Sequence, residues 1–322
     1  MAIKSVMVTG ATGFVGRSVV RALLSRGMKP VCLVRSEDRL RLQHHQVDPS
    51  QLDAVVGGLG DKQTLAQAAD GCEAVVHLVG VIIQRWLHGQ TFHRIHVEGT
   101  CGVIEATRQA GVKRYVHMSA LGSRADAASM YHKTKWEAEK AVRASDLDWT
   151  IFRPSLIHGP QGEFMTLMNR LICGVFPPVI PYFGNGRARI QPVSVEDVAH
   201  CIAESVSRDN TVGKVIDLGG PRTYSWTELY NTCRALMPGA RHWKPLMSQP
   251  VALAKVIAAL SGPPMALTEA VSPRLGLYRF DRGQVQMSQE DNVCDHTIAE
   301  ELFGLRMRSF EDELSRYAES IR

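Results

Sequence analysis

Short apolar runs alternate with amphipathic stretches through the first half of the chain. Ile3, Val6 and Val8 open the pattern. It returns at Val31-Cys32-Leu33-Val34, Asp53-Ala54-Val55-Val56, Ala74-Val75-Val76-His77-Leu78, Arg114-Tyr115-Val116-His117-Met118 and Trp149-Thr150-Ile151-Phe152. These runs are continuous and β-branched rather than alternating, so the strands they predict are buried on both faces. Helical spacing recurs between them, at 15–24, 62–69, 92–110 and 130–144. Such alternation predicts an α/β fold, a doubly wound parallel sheet wrapped by helices.

The texture changes after Gly159-Pro160. Phe176-Pro177-Pro178-Val179-Ile180-Pro181 excludes a helix or an inner strand. A helix is predicted over 195–207, opened by Ser194 with Asp197 three residues on. Lys214-Val215-Ile216-Asp217-Leu218 predicts another strand of the main sheet, and 225–237 a helix capped by Ser225. The nearly uncharged stretch 250–260 has two readings. It is a cap helix buried against the main domain, or an interfacial helix against a membrane or partner. The expected division is a sheet domain over 1–160, to which 187–220 returns. A smaller, interleaved cap takes 161–186 and 221–322.

The first strand runs straight into a glycine turn and then a helix: Val6-Met7-Val8-Thr9-Gly10-Ala11-Thr12-Gly13-Phe14-Val15-Gly16. A turn this tight wants positive φ, and a pyrophosphate comes close to the backbone only where no Cβ intervenes. The next helix aims free N–H groups and its positive dipole end at the phosphates. The bland alternative is a glycine turn with no ligand. The strand before and the helix after decide for dinucleotide binding, with Gly10, Thr12, Gly13, Phe14, Val15 and Gly16 as candidate contacts. The G-x-x-G-x-x-G spacing after Thr9 resembles the short-chain dehydrogenase/reductase superfamily, in its extended or atypical branch, whose sheet is of Rossmann type.

The residue ending the second strand of such a sheet stands beside the adenosine ribose. Here it is Arg35, followed by Ser36. An arginine suits a 2′-phosphate through forked, charge-assisted hydrogen bonds, so NADP(H) is favoured over NAD(H). Glu37 and Asp38 come directly afterwards and complicate this, because a carboxylate binds a free ribose. The resemblance also implies that Asp61, after Gly58-Leu59-Gly60, accepts from the adenine amino group. The same aspartate is placed to cap the helix beginning at Lys62. By the same resemblance Leu78, Val79 and Gly80 lie along the cofactor.

Tyr131-His132-Lys133-Thr134-Lys135 is a Y-x-x-x-K on a predicted helix, which puts Tyr131 and Lys135 on one face. The lysine suits the nicotinamide ribose, and its charge is expected to lower the tyrosine pKa. Tyr131 then acts as acid or base toward a carbonyl or alcohol. Relatives carry a catalytic serine or threonine just after the fifth strand. Here Met118-Ser119-Ala120-Leu121-Gly122-Ser123 puts Ala120 or Leu121 in that slot, leaving Ser119 or Ser123 to substitute.

His96-Val97-Glu98-Gly99-Thr100 fills the place where extended members carry Asn-x-x-Gly-Thr, with His96 replacing the asparagine. Phe152-Arg153-Pro154-Ser155 matches the superfamily's sixth-strand exit, where the backbone of Pro154 and Ser155 borders the nicotinamide. Gln191-Pro192-Val193-Ser194-Val195-Glu196-Asp197 resembles the helix that seals the substrate pocket. Three segments sharpen the likeness: 115–122, 135–139 and 148–154. They resemble the atypical branch that holds the nucleotide-binding accessory subunit of mitochondrial complex I and its bacterial relatives, as does 284–293.

The chain has 322 residues, 45% hydrophobic and 21% charged, an ordinary globular composition. A net charge of +5 without any basic block excludes nucleic acid and suits an anionic cofactor. Seven scattered cysteines without a C-x-x-C pair point to reduced thiols and a cytoplasmic setting, with the inner face of the cytoplasmic membrane as the variant. The twelve histidines lack metal-ligand spacing, and His44-His45 reads as a solvated pair in a polar loop. No signal peptide or membrane span is expected. Two functions are implied. One is an NAD(P)H-dependent oxidoreductase or epimerase-like enzyme using Tyr131 and Lys135 on a small molecule such as a quinone or carbonyl compound. The other is a non-catalytic NADPH-binding accessory or regulatory protein associated with complex I or quinone metabolism.

Overall fold

The computed structural model describes residues 3–44, 47–85, 88–252, 254 and 282–321. Thirteen strands are seen among them: β1 (Ser5–Thr9), β2 (Lys29–Val34), β3 (Asp53–Val56), β4 (Ala74–His77), β5 (Arg114–Met118), β6 (Asp148–Pro154), β7 (Ile157–His158), β8 (Ile180–Phe183), β9 (Arg189–Ile190), β10 (Val193–Ser194), β11 (Lys214–Leu218), β12 (Tyr224–Ser225) and β13 (Leu246–Gln249). Seven of them form one sheet in the order β11-β6-β5-β4-β1-β2-β3, every pairing parallel. The order reverses between β1 and β4, which opens a crevice at the carboxyl ends of the strands. Parallel pairing carries the exit of every strand to that one edge. The glycine turn leaves β1, Arg35 leaves β2, Leu78 to Gly80 leave β4, Ser119 leaves β5 and Ser155 leaves β6.

Two apolar cores sandwich the sheet. Helices α1 (Phe14–Leu24) and, later, residues 195–205 and 297–303 bury Val19, Leu23, Val198, Ile202 and Phe303 on one face. The other face carries Met7, Leu65, Val75, Val103, Tyr115 and Ile151. That layer is built from α3 (Lys62–Ala69), α4 (Gly99–Gln109) and α5 (Met130–Arg143); α2 (Glu37–Gln43) lies between β2 and β3 in the chain. A third core gathers Met165, Met168, Leu171, Leu229, Phe310 and Leu314. These come from α6 (Glu163–Cys173), α8 (Trp226–Leu236) and residues 310–317, while 195–205 is α7 (Val195–Ser205).

Several expectations need correction. The polar stretch holding His44 is not a solvated loop. It closes α2, and His44 is buried with Nε2 3.1 Å from the Ala11 carbonyl. His45 lies outside the described residues. Helix α6 and strand β13 carry no expectation from the sequence, whereas Ile180-Pro181 begins an edge strand paired only with β13 in a two-stranded ribbon, consistent with the exclusion of a helix or inner strand there. Ser194 does cap α7, but through Glu196 N at 3.3 Å; Asp197 is buried and accepts from Arg308 N at 2.8 Å. The capping box forms instead at α8, between Ser225 and Glu228. The long helix expected over 92–110 starts as a π-helical turn, His93–Glu98, before α4. The stretch 250–260 lies, apart from 250–252 and 254, outside the described residues. Among the described residues no helix is long and apolar enough to cross a membrane.

Candidate functional site

The glycine turn has the shape its chemistry requires. Gly10 has φ 80°, and a Cβ there would press on Val79 N at 3.3 Å. A Cβ on Gly16 would stand 2.0 Å from the Gly10 carbonyl oxygen, so only glycine lets α1 start against the turn. Gly13 donates its N–H to Gly10 O at 2.9 Å. It opens α1 without a side-chain cap, whereas α2, α3, α5, α7 and α8 open on Ser36, Asp61, Ser129, Ser194 and Ser225. The first N–H groups of α1, those of Phe14, Val15 and Gly16, are thus left for an anion. Val15 is buried in the core, and the Phe14 ring lies under Gly159 and Gly162, whose Cβ atoms would meet it at 3.0–3.2 Å. His44 braces the turn from behind through Ala11. Thr12 is half-buried in the turn.

At the adenosine end Arg35 is exposed and makes no ion pair or hydrogen bond among the described residues. Ser36 uses its hydroxyl to cap α2, accepting from Arg39 N at 3.3 Å. Glu37 is paired with Arg41, so one of the two complicating carboxylates is already occupied. Sequence reasoning missed Arg17. Its Nε is buried without a partner, its Nη1 donates to Gln43, and Arg21 and Arg39 add like charge. Burial first and those neighbours second hold the Arg17 pKa below its ordinary value. Asp61 caps α3, with Oδ1 accepting from Gln63 N at 3.0 Å and Thr64 N at 3.2 Å.

The other end of the crevice gathers Gly80, His96, Tyr131 and Lys135. Lys135 is buried and donates to the Met118 carbonyl at 3.0 Å. A Cβ on Gly80 would stand 2.9 Å from Lys135 Nζ, so the glycine makes room for the ammonium. Burial lowers the Lys135 pKa to about 8. Burial also pushes the Tyr131 phenol up to about 12, with no lowering from Lys135. This corrects the expected pull: the ammonium is turned to a backbone carbonyl, and desolvation dominates. Tyr131 is therefore a proton-bearing group throughout the physiological range.

His96 holds this end together. Its ring is edge-on to Tyr131 at 5.5 Å and stacked on Phe92 at 5.5 Å. Val81 N donates to Nε2 at 3.1 Å, and Nδ1 stands 2.9 Å from Thr134 Oγ1 on α5. Burial and the nearby Lys135 charge lower His96 to about 2, so it stays neutral. The Val81 carbonyl oxygen also stands 3.1 Å from Nε2, and the Thr134 hydroxyl donates onward to Tyr131 O at 3.0 Å. The π-helical turn swings this imidazole between the β4 exit and α5.

Ser119 and Ser123 are both buried, and Ser119 donates its hydroxyl to Ser123 at 3.2 Å. Ala120 and Leu121 are each 8% exposed. Pro154 and Ser155 are buried, with polar groups already taken: Pro154 O by Leu121 N at 3.0 Å, and Ser155 N by Leu218 O at 2.8 Å. Ser155 Oγ reaches Asn292 O at 3.0 Å, and Asn292 Nδ2 donates to Leu121 O at 3.1 Å. Asn292 thus ties the late segment to both turns. Leu78 is buried and Val79 half-buried beside Gly10.

A positive-φ glycine turn and an uncapped helix start together fit a nicotinamide dinucleotide. A family model described as NAD(P)H-binding matches residues 10–209. The chain belongs to that family. Its relatives are atypical members of the short-chain dehydrogenase/reductase group. The ceramide reductase of Caulobacter vibrioides is 35% identical over 244 residues, 74% of this chain and 69% of that protein. Subunit 9 of the NADH dehydrogenase [ubiquinone] 1 alpha subcomplex of Arabidopsis thaliana mitochondria is 27% identical over 254 residues, 78% of this chain and 62% of that one. Among solved structures, the NADPH-dependent quinone oxidoreductase of Escherichia coli, complexed with NADPH, superposes with a TM-score of 0.70 at 19% identity, covering 97% of this chain and 99% of that one. A dTDP-glucose 4,6-dehydratase of Streptomyces venezuelae, with NAD bound, gives a TM-score of 0.71 at 22% identity, covering 98% and 96%. At these identities the two structures speak for the fold.

Proposed function

We propose that the protein is an NADP(H)-dependent reductase of a carbonyl or quinone compound. The observation that carries this is the spacing of Tyr131 and Lys135 on one face of α5, with Lys135 buried against Gly80 at the β4 exit. Bound NADPH supplies a hydride. Tyr131 donates its phenolic proton to the substrate oxygen, which completes an alcohol. Lys135, with its pKa at about 8, is mostly charged at neutral pH and would hold the nicotinamide ribose. Gly10, Thr12, Gly13 and the N–H groups of Phe14, Val15 and Gly16 hold the pyrophosphate. Arg35 and Ser36, with Arg17, meet the 2′-phosphate, and Asp61 keeps Oδ2 for the adenine. Leu78, Val79 and Gly80 would lie along the cofactor, the backbone of Pro154 and Ser155 would border the nicotinamide, and Ser119 or Ser123 would stand in for the missing catalytic hydroxyl. That one relative is named a reductase supports the reductive direction.

The second reading is a non-catalytic NADPH-binding accessory protein of complex I, at the inner face of the membrane. Ala120 and Leu121 in the serine slot favour it, as does the likeness to the complex I subunit. Single-turnover absorbance of protein-bound NADPH, across carbonyl and quinone acceptors, separates the two. For the reductase, Tyr131→Phe keeps NADPH affinity and loses roughly 10²–10⁴-fold in rate. Acceptors that leave bound NADPH untouched in the parent protein decide for the accessory reading. In calorimetry Arg35→Ala weakens NADPH by roughly 1.5–3 kcal/mol and spares NADH; equal losses remove Arg35 from the phosphate.

A further inference from the structure

The late segment 284–293 has no part in the chemistry described so far, yet its second half is strapped across the exits of β5 and β6. The cap holds this strap from one side. Trp226 Nε1 donates to Ser288 O at 3.0 Å, Arg189 N donates to Asp291 Oδ1 at 2.8 Å, and Asn292 N donates to Arg189 O at 2.7 Å. From the sheet side Arg124, just past the β5 exit, pairs with Glu290 at 2.7 Å. The turns that leave β5 and β6 are joined to their neighbours by backbone. Leu121 N donates to Pro154 O at 3.0 Å, and Ser155 N to Leu218 O at 2.8 Å. This leaves Leu121 O and the Ser155 hydroxyl, both on buried residues. One side chain takes both. Asn292 Nδ2 donates to Leu121 O at 3.1 Å, and Ser155 Oγ donates to Asn292 Oδ1 at 2.5 Å. A side-chain amide offers a donor and an acceptor at once, so Asn292 fixes the two turns relative to each other. The β5 turn rests in its turn on α5. Gly122 has φ 90°, and a Cβ there would meet the ring of His132, the neighbour of Tyr131, at 3.1 Å.

Resting on the nicotinamide placement proposed above, we infer that Asn292 is a positioning residue. It holds the β5 and β6 turns at the separation the nicotinamide ring needs, and so makes the strap part of the cofactor site. Truncated cofactors test this on the full chain. NADPH and NADH are each compared by calorimetry with the same molecule lacking the ring, 2′-phospho-ADP-ribose and ADP-ribose. The comparison is independent of turnover and of Arg35. Asn292→Leu, similar in size but without donor or acceptor, weakens the intact dinucleotide about five- to tenfold and leaves the ringless one nearly unchanged. Asn292→Asp keeps the acceptor for Ser155 but sets a carboxylate oxygen against Leu121 O, and it shows the same split. Equal losses for ring-bearing and ringless ligands make Asn292 a merely structural residue and overturn the inference, as does undiminished dinucleotide binding in both variants. Lys135→Met reads the placement itself. If it weakens the dinucleotide while the Asn292 variants do not, the nicotinamide lies where proposed and Asn292 has no part in holding it. If none of the three variants weakens it, the ring lies elsewhere and the placement falls together with the role of Asn292.

Discussion

Lys135 is held at a cost to folding. Its fall from 10.5 to about 8 corresponds to roughly 3 kcal/mol of disfavoured charge at about 1.4 kcal/mol per unit. Below pH 8 the side chain is charged whether folded or unfolded, and the penalty is complete. Between about 8 and 10.5 the unfolded chain holds the extra proton, so this group makes stability rise with pH. Lys135→Met is therefore expected to stabilise the cofactor-free protein at neutral pH by about 1–3 kcal/mol, allowing about 1 kcal/mol for the lost bond to Met118 O. It also removes that rise. Urea unfolding at neutral and alkaline pH reads both, and a variant less stable than its parent at neutral pH contradicts the account. Such a cost supports the ribose-binding role proposed for Lys135.

At the scale of elements, the strands were legible because continuous Val, Ile and Leu runs have no other use in a chain of this composition. The gathering of site residues at one sheet edge followed from parallel pairing. Helix α2 was not legible: its polar residues pointed to a loop, and His44 turns inward for the Ala11 carbonyl, which no local pattern shows. Asp197 looked like a capping partner by spacing, but tertiary contact with Arg308 N claims it. The π-helical turn was hidden too, because one extra residue in a helix leaves the hydrophobic period nearly unchanged. His96→Leu should strand Val81 N and release α5, at a cost of roughly 1–3 kcal/mol by urea unfolding. Turnover of the reductase should fall with NADPH affinity nearly kept, since His96 positions Tyr131 rather than touching substrate. His96→Asn, which keeps a donor and an acceptor, should recover part of both. A His96→Leu protein as active as its parent would falsify the positioning role.

Across the whole molecule, the two glycines of the turn separate folding from binding. A Cβ on Gly16 collides with backbone at 2.0 Å, whereas one on Gly13 meets Gly10 O at 3.1 Å, which a shift of a few tenths of an ångström relieves. Gly16→Val should therefore lose the β1–α1 junction and much of the fold. Gly13→Val should fold nearly as the parent does and place its side chain where the pyrophosphate must sit. Ligand that binds only the folded chain stabilises it by RT ln(1 + [L]/Kd), about 2.7 kcal/mol at a hundredfold excess over Kd. Thermal unfolding with and without NADPH should show that gain in the parent and none in Gly13→Val. With NADH at the same concentration the parent should gain less, because Arg35 and Arg17 then face no 2′-phosphate. A Gly13→Val protein that NADPH still stabilises would move the phosphates away from the glycine turn. An equal gain from NADH would remove the two arginines from the proposed 2′-phosphate contact.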